Sequence, residues 1–82
     1  MVVETFLIHI KEDASEVDKR RIAWGVRNIG GRIEAALRNG TVLIATFDNR
    51  HVEHFRRHPL ITLVGGVTFS GRKIRKTTIQ NT

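Results

Sequence analysis

Seven residues held between two turn-forming dipeptides constrain this chain most. Thr41 to Phe47, TVLIATF, is its most apolar and β-branched run, with Asn39-Gly40 before it and Asp48-Asn49 after it. β-branched and aromatic side chains suit a pleated, buried surface. The run is therefore read as a central strand, and the rest of the chain is arranged around it.

Val2 to Ile10 alternates with the period of a strand, Phe6, Ile8 and Ile10 on one face and Thr5, Leu7 and His9 on the other. Ser15 and Asp18 form a capping pair for a helix from about Glu16 to Ile29. In that helix Ile22, Val26 and Ile29 share one face, and Gly30-Gly31 ends it. Trp24 falls opposite the stripe, at helical spacing from Val17 and Arg21. Two readings stand for it: an indole half-covered by arginine stems, or a contact residue for a partner.

Arg32 to Arg38 alternates again, which sets Ile33, Ala35 and Leu37 on one face and Arg32, Glu34, Ala36 and Arg38 on the other. Asn39-Gly40 is a strong hairpin signal that joins this strand antiparallel to the central one. A short helix over Glu34 to Asn39 is the weaker alternative. Asp48 caps a second helix from Asn49 to about Arg57, with Val52 and Phe55 as its narrow apolar face. Pro59 stops it. Ile61 to Val64 begins a last strand, Gly65-Gly66 is expected to bulge or bend it, and Val67 to Phe69 resumes it. Thr77 to Thr82 is expected to be loose.

The order β-α-β-β-α-β predicts an α+β, ferredoxin-like domain: a four-stranded antiparallel sheet with both helices on one face. Residues 1–70 form the domain and 71–82 a basic C-terminal tail. With 82 residues there is room for one domain only. Such a chain buries about two-thirds of its unfolded surface, so each core residue carries weight.

Composition narrows the function classes. No cysteine is present, so neither a disulfide nor a thiolate metal site staples the fold. No apolar run approaches the ~18 residues of a membrane span, and no signal peptide is recognisable, so no membrane partner and a cytoplasmic location are expected. The chain has 14 Lys+Arg against 8 Asp+Glu. All eight acids lie before residue 71, whereas the tail carries Arg72, Lys73, Arg75 and Lys76 without one. The tail is either a solvating extension or a contact for phosphates, which makes nucleic acid an alternative partner.

No nucleophile–base pattern and no phosphate-cradling glycine loop is recognisable, so an enzyme is not expected and no cofactor is implied. Ser15 suits a cap and Ser70 a turn. Glu12, Asp13, Glu16 and Asp18 gather where the first helix's dipole favours negative charge. His51, His54 and His58 recur at i, i+3, i+7, but Arg50, Arg56 and Arg57 surround them with positive charge, and no metal site is expected.

With both helices on one side, the other side of the sheet is open. Leu7, Val42 and Ile44 would form its apolar centre, with Arg32 and Arg38 beside it. A solvated sheet face is normally polar, so an apolar centre with a charged edge reads as a docking surface for a protein or for a second copy.

From Ile29 to Val64 the chain resembles the subtilase propeptide and inhibitor family. The residues that carry the likeness are IGGRI at 29–33, NGTVLIATF at 39–47 and HVEHFRRHPLITLV at 51–64, with Pro59, Ile61 and Val64 as the most telling spacing. The first strand extends the likeness over most of residues 2–64. The resemblance implies a ferredoxin-like domain that packs its open sheet against a serine protease, here as a stand-alone relative. The chain differs in having Gly65 where the family has an acidic residue, and in its basic tail; docking of a protein is what the resemblance implies most directly. In outline the chain is also similar to RNA-recognition domains. Those stack bases on rings of the first and third strands, where this chain has Leu7, Val42 and Ile44.

Overall fold

A computed structural model describes residues 2–69 and 77–81. Its elements are β1 (Val3–Ile10), α1 (Glu16–Asn28), β2 (Arg32–Leu37), β3 (Val42–Asp48), a 3-10 turn (Asn49–His51), α2 (Val52–Arg56), β4 (Ile61–Phe69) and β5 (Thr77–Asn81). The strands form one sheet in the order β2-β3-β1-β4-β5, and every neighbouring pair is antiparallel. The first four strands and two helices are the expected ferredoxin-like α+β arrangement. The expectation of a loose 77–82 segment is corrected: Thr77–Asn81 pairs with β4 from Phe69 to Gly65 and adds a fifth strand. A mostly polar segment finds its backbone partners along an edge that β4 would otherwise leave open.

The core lies between the sheet and the two helices. Phe6, Ile8 and Ile10 of β1, Leu43, Ala45 and Phe47 of β3, Ile22 and Val26 of α1, Val52 and Phe55 of α2, and Ile61 and Val64 of β4 form one buried cluster. Phe47 is its hub. Its ring stacks on Phe6 at 4.6 Å and meets Phe55 at 5.1 Å, joining β3 to β1 and to α2. Truncating such a buried ring to alanine typically costs about 3–5 kcal/mol.

The cap of α1 forms as the sequence indicates, Ser15 Oγ accepting from the Asp18 amide at 3.1 Å. At the other end the Gly30 amide bonds to the Arg27 carbonyl and the Gly31 amide to the Val26 carbonyl. This paired closure satisfies the last carbonyls of the helix. Gly30 has φ 84°, which glycine tolerates without strain. Gly31 is required for space instead: a Cβ there would lie 2.8 Å from the Val26 carbonyl oxygen and 2.9 Å from Phe47 Cβ.

Three local expectations change. The β2–β3 connection is a longer loop than a two-residue turn, closing at the Leu37–Val42 pair, with positive φ at Arg38, Asn39 and Gly40. It is held by Lys19 of α1, whose ammonium donates to the Asn39 carbonyl and pairs with Glu16, both at 2.6 Å. The second helix is shorter than Asn49 to Arg57, because its first turn is 3-10, capped by the Asp48 carboxylate on the Arg50 amide at 3.0 Å. Gly65-Gly66 does not break β4, which runs unbroken from Ile61 to Phe69. Its irregularity lies instead at Thr62, where the β1 register shifts between His9 and Ile10.

Two glycines therefore predict opposite outcomes. Gly31→Ala is expected to destabilise by about 1–3 kcal/mol through overpacking. Gly66→Ala, with open space around its Cβ position, is expected to stabilise by about 0.5–1 kcal/mol through lower unfolded-state entropy. Urea midpoints of the two variants against wild type check both signs.

Candidate functional site

The side of the sheet away from the helices is built by strand alternation and by pairing register. Leu7 of β1 stands opposite Ile44 of β3, His9 opposite Val42, and Thr5 opposite Thr46. On the other flank Leu7 faces Gly65 of β4 and His9 faces Leu63. The glycine places no β4 side chain directly opposite Leu7. None of these residues belongs to the buried core cluster.

Strand β2 joins this face differently from its simple alternation. Its register to β3 shifts between Ile33 and Ala35: Ile33 pairs with Ala45, Ala35 with Ile44, Ala36 with Leu43 and Leu37 with Val42. The shift is a β-bulge at Glu34, which reverses the parity of every later residue. Ala36 therefore turns to the helix side, correcting its expected place, while Ala35 and Leu37 turn to the open face. Leu37 is 51% exposed. The bulge thus extends the apolar surface to the sheet edge.

A polar strip borders this surface at one end. The Thr46 hydroxyl donates to Glu34 Oε2 at 3.0 Å, and Arg32 Nε donates to the same oxygen at 3.0 Å. Thr5 Oγ1 lies 3.0 Å from Thr46 Oγ1. Because the single Thr46 proton goes to the carboxylate, the Thr5 hydroxyl is the donor in that pair. The Thr46 and Arg32 hydrogen bonds hold the Glu34 carboxyl below its ordinary value. At the opposite end the Thr62 hydroxyl donates to the His9 carbonyl at 3.2 Å and lies 2.8 Å from His9 Nδ1.

Of the residues selected from sequence, Leu7, Val42, Ile44 and Arg32 share this face. Val42 is only 8% exposed. It is buried although its register opposite His9 places it on the open face, and it stands outside the contiguous core. Arg38 is not on the strand; with φ 52° it belongs to the hairpin loop and lines a polar groove with Glu12, Lys19 and Asn39. Trp24 is on α1, on the opposite side of the molecule, and is 63% exposed. The tail residues Arg72, Lys73, Arg75 and Lys76 lie outside the described residues. Sequence alternation missed Ala35 and Leu37, because the bulge carries no clear local signal, and Leu63, because its face depends on how β4 pairs with β1.

The histidines of the second helical region do not converge. His54 meets Phe55 edge-on at 5.4 Å, and His58 Nδ1 accepts from the Leu60 amide at 3.1 Å. Among the described residues no group of three or more His, Asp or Glu side chains is placed to hold a metal ion. No described helix is long and apolar enough to cross a membrane. In comparisons with known proteins, no family, no curated protein and no solved structure matches this chain.

The Glu34 cluster makes a pH prediction. A carboxyl lowered in the folded state contributes stability that is present above its ordinary value of 4.5 and lost as pH falls through the lowered folded value. Glu34→Gln is expected to remove that part of the acid sensitivity. Melting temperatures of wild type and variant should therefore converge as pH drops from 5 to 3, which paired thermal melts would measure.

Proposed function

We propose that this chain is a non-enzymatic protein-binding module that docks through the open face of its sheet. The observation that carries this reading is that Leu7, Ala35, Ile44 and Leu63, all half-buried, and Leu37, 51% exposed, lie on the sheet face away from the helices, around a buried Val42. Water against such a surface is a standing cost that a partner of matching shape relieves. The resemblance to subtilase propeptides supports the same use of the same face, with a subtilisin-like protease as one class of occupant.

The occupant this face fits best is a second copy. The chain as a whole carries a formal charge of +6, so two copies repel unless they meet where the charge is low. The open face provides that place, since its Arg32 is matched by Glu34 at 3.0 Å. Size also suits. Five strands about 4.8 Å apart, and a β1 rising about 3.3 Å per residue, give a flat footprint of roughly 600 Å². Side-chain relief raises the accessible area above that footprint, toward the about 800 Å² per partner of a standard interface. The charge pair at the rim would fix orientation more than it adds affinity.

Light-scattering mass of the purified chain tests this directly. The expected result is twice the 9.3 kDa chain mass, reduced to the monomer by Leu37→Glu with Ile44→Thr at unchanged helix content. A monomeric wild type that binds a subtilisin-type protease, with binding lost in the same variant, would support docking by this face with the other occupant. A monomer that binds no such protease overturns the proposal, as does a dimer unaffected by the double substitution.

A further inference from the structure

The outer face of α1 is unlike the rest of the surface. Its inward stripe, Ile22 and Val26, is buried in the core. On the opposite side stands Trp24, 63% exposed, and Val17, 55% exposed. Arg20 lies four residues before Trp24, Arg21 three before, and Arg27 three after, so all three border the indole on the helix surface. All three are exposed.

Among the described residues none of these arginines is in an ion pair, although Arg20 adds to the stronger effect of Lys19 in holding the Glu16 carboxyl below its ordinary value. The ion pairs among the described residues engage Lys19, Arg32, Arg50 and Arg56, and none of them engages Arg20, Arg21 or Arg27. Glu16, the acidic side chain at the edge of this face, is taken up by Lys19 at 2.6 Å. The result is an uncovered aromatic ring inside a fork of unpaired guanidinium groups. Arg20 and Arg27 are about 10 Å apart along the helix axis.

We propose that this face binds single-stranded nucleic acid, with Trp24 stacking on a base and Arg20, Arg21 and Arg27 contacting the flanking phosphates. The combination of a ring platform with surrounding positive charge is how sequence-tolerant single-strand binding is built. Three unpaired cations select a polyanion. The ring selects among polyanions, because bases within a duplex are already stacked and offer it no face, whereas unpaired bases do. An anionic bilayer is the poorer occupant. A helix lying in a membrane surface inserts a broad apolar face, and here that stripe is already committed to the core, leaving only Val17 and Trp24 outside. The surface is on the opposite side of the molecule from the open sheet, so it acts independently of docking there, and the aliphatic Leu7, Val42 and Ile44 of the sheet have no bearing on it.

Trp24 is the single tryptophan of the chain, so its fluorescence reports the site alone. Titration of the full chain with a 15-nucleotide oligothymidine at low salt is expected to quench it. Trp24→Ala is expected to weaken binding of the labelled oligonucleotide by at least about fivefold, the lower end of a lost stacking contact. Arg20→Gln with Arg27→Gln is expected to flatten the slope of log affinity against log salt by about 1.4, the value for two phosphate contacts on a single strand. Circular dichroism of these surface variants verifies the fold. A second variant, with Arg72, Lys73, Arg75 and Lys76 all changed to Gln, separates the tail. Binding abolished by the tail variant but untouched by the α1 variants overturns the proposal. So does an unquenched Trp24, or a Trp24 emission that responds to phosphatidylserine vesicles and not to the oligonucleotide.

Discussion

Two helices of 13 and 5 residues can cover one side of a five-stranded sheet but not both. That imbalance governs the molecule. The large apolar side chains of β1 and β3 that point toward the helices are buried, whereas on the other side Leu7 and Ile44 are half-buried and Leu37 is exposed. In a domain this small the sealed side is the only core available, so it is filled tightly around Phe47.

Tight packing on the covered side has its own demands. Phe47 bridges Phe6 and Phe55, and the chain leaving α1 must pass directly over it at Gly31. The paired hydrogen bonds from Gly30 and Gly31 close the helix and turn the chain into β2 within two residues. Lys19 then anchors the far end of the β2–β3 hairpin to α1. The helix and the hairpin are thus fastened at both ends, which fixes the height of the sheet against α1 and the aim of the β2 side chains on the other face.

Charge is distributed to match the two surfaces. On the open sheet face the one arginine of β2 is answered by Glu34, and hydroxyl groups carry the polar strip across to β1. On α1 the arginines around Trp24 have no carboxylate within ion-pair distance. A nearly neutral apolar surface suits another protein surface. An unpaired cationic one around a ring suits an anion with flat rings of its own. Placing the two on opposite sides of one sheet lets a chain of modest size carry both.

Local chemistry by itself determined most of the scaffold. The alternation of Phe6, Ile8 and Ile10, the cap at Ser15, the stripe of Ile22 and Val26, the glycine pair after α1 and the stop at Pro59 are each decided within a few residues. The placement of Leu7, Val42 and Ile44 on the side away from the helices was legible for the same reason, whereas the burial of Val42 was not. What only the tertiary structure decided depends on partners distant in sequence. The bulge at Glu34 arises from how β2 registers on β3, and it alone moves Ala35 and Leu37 onto the open face. Gly65 and Gly66 stay in a regular strand because β1 and β5 hold β4 on both edges. The 77–81 segment becomes a strand because an edge was there to receive it. Strand register and edge pairing are non-local hydrogen-bonding choices, and a short window of side chains does not encode them.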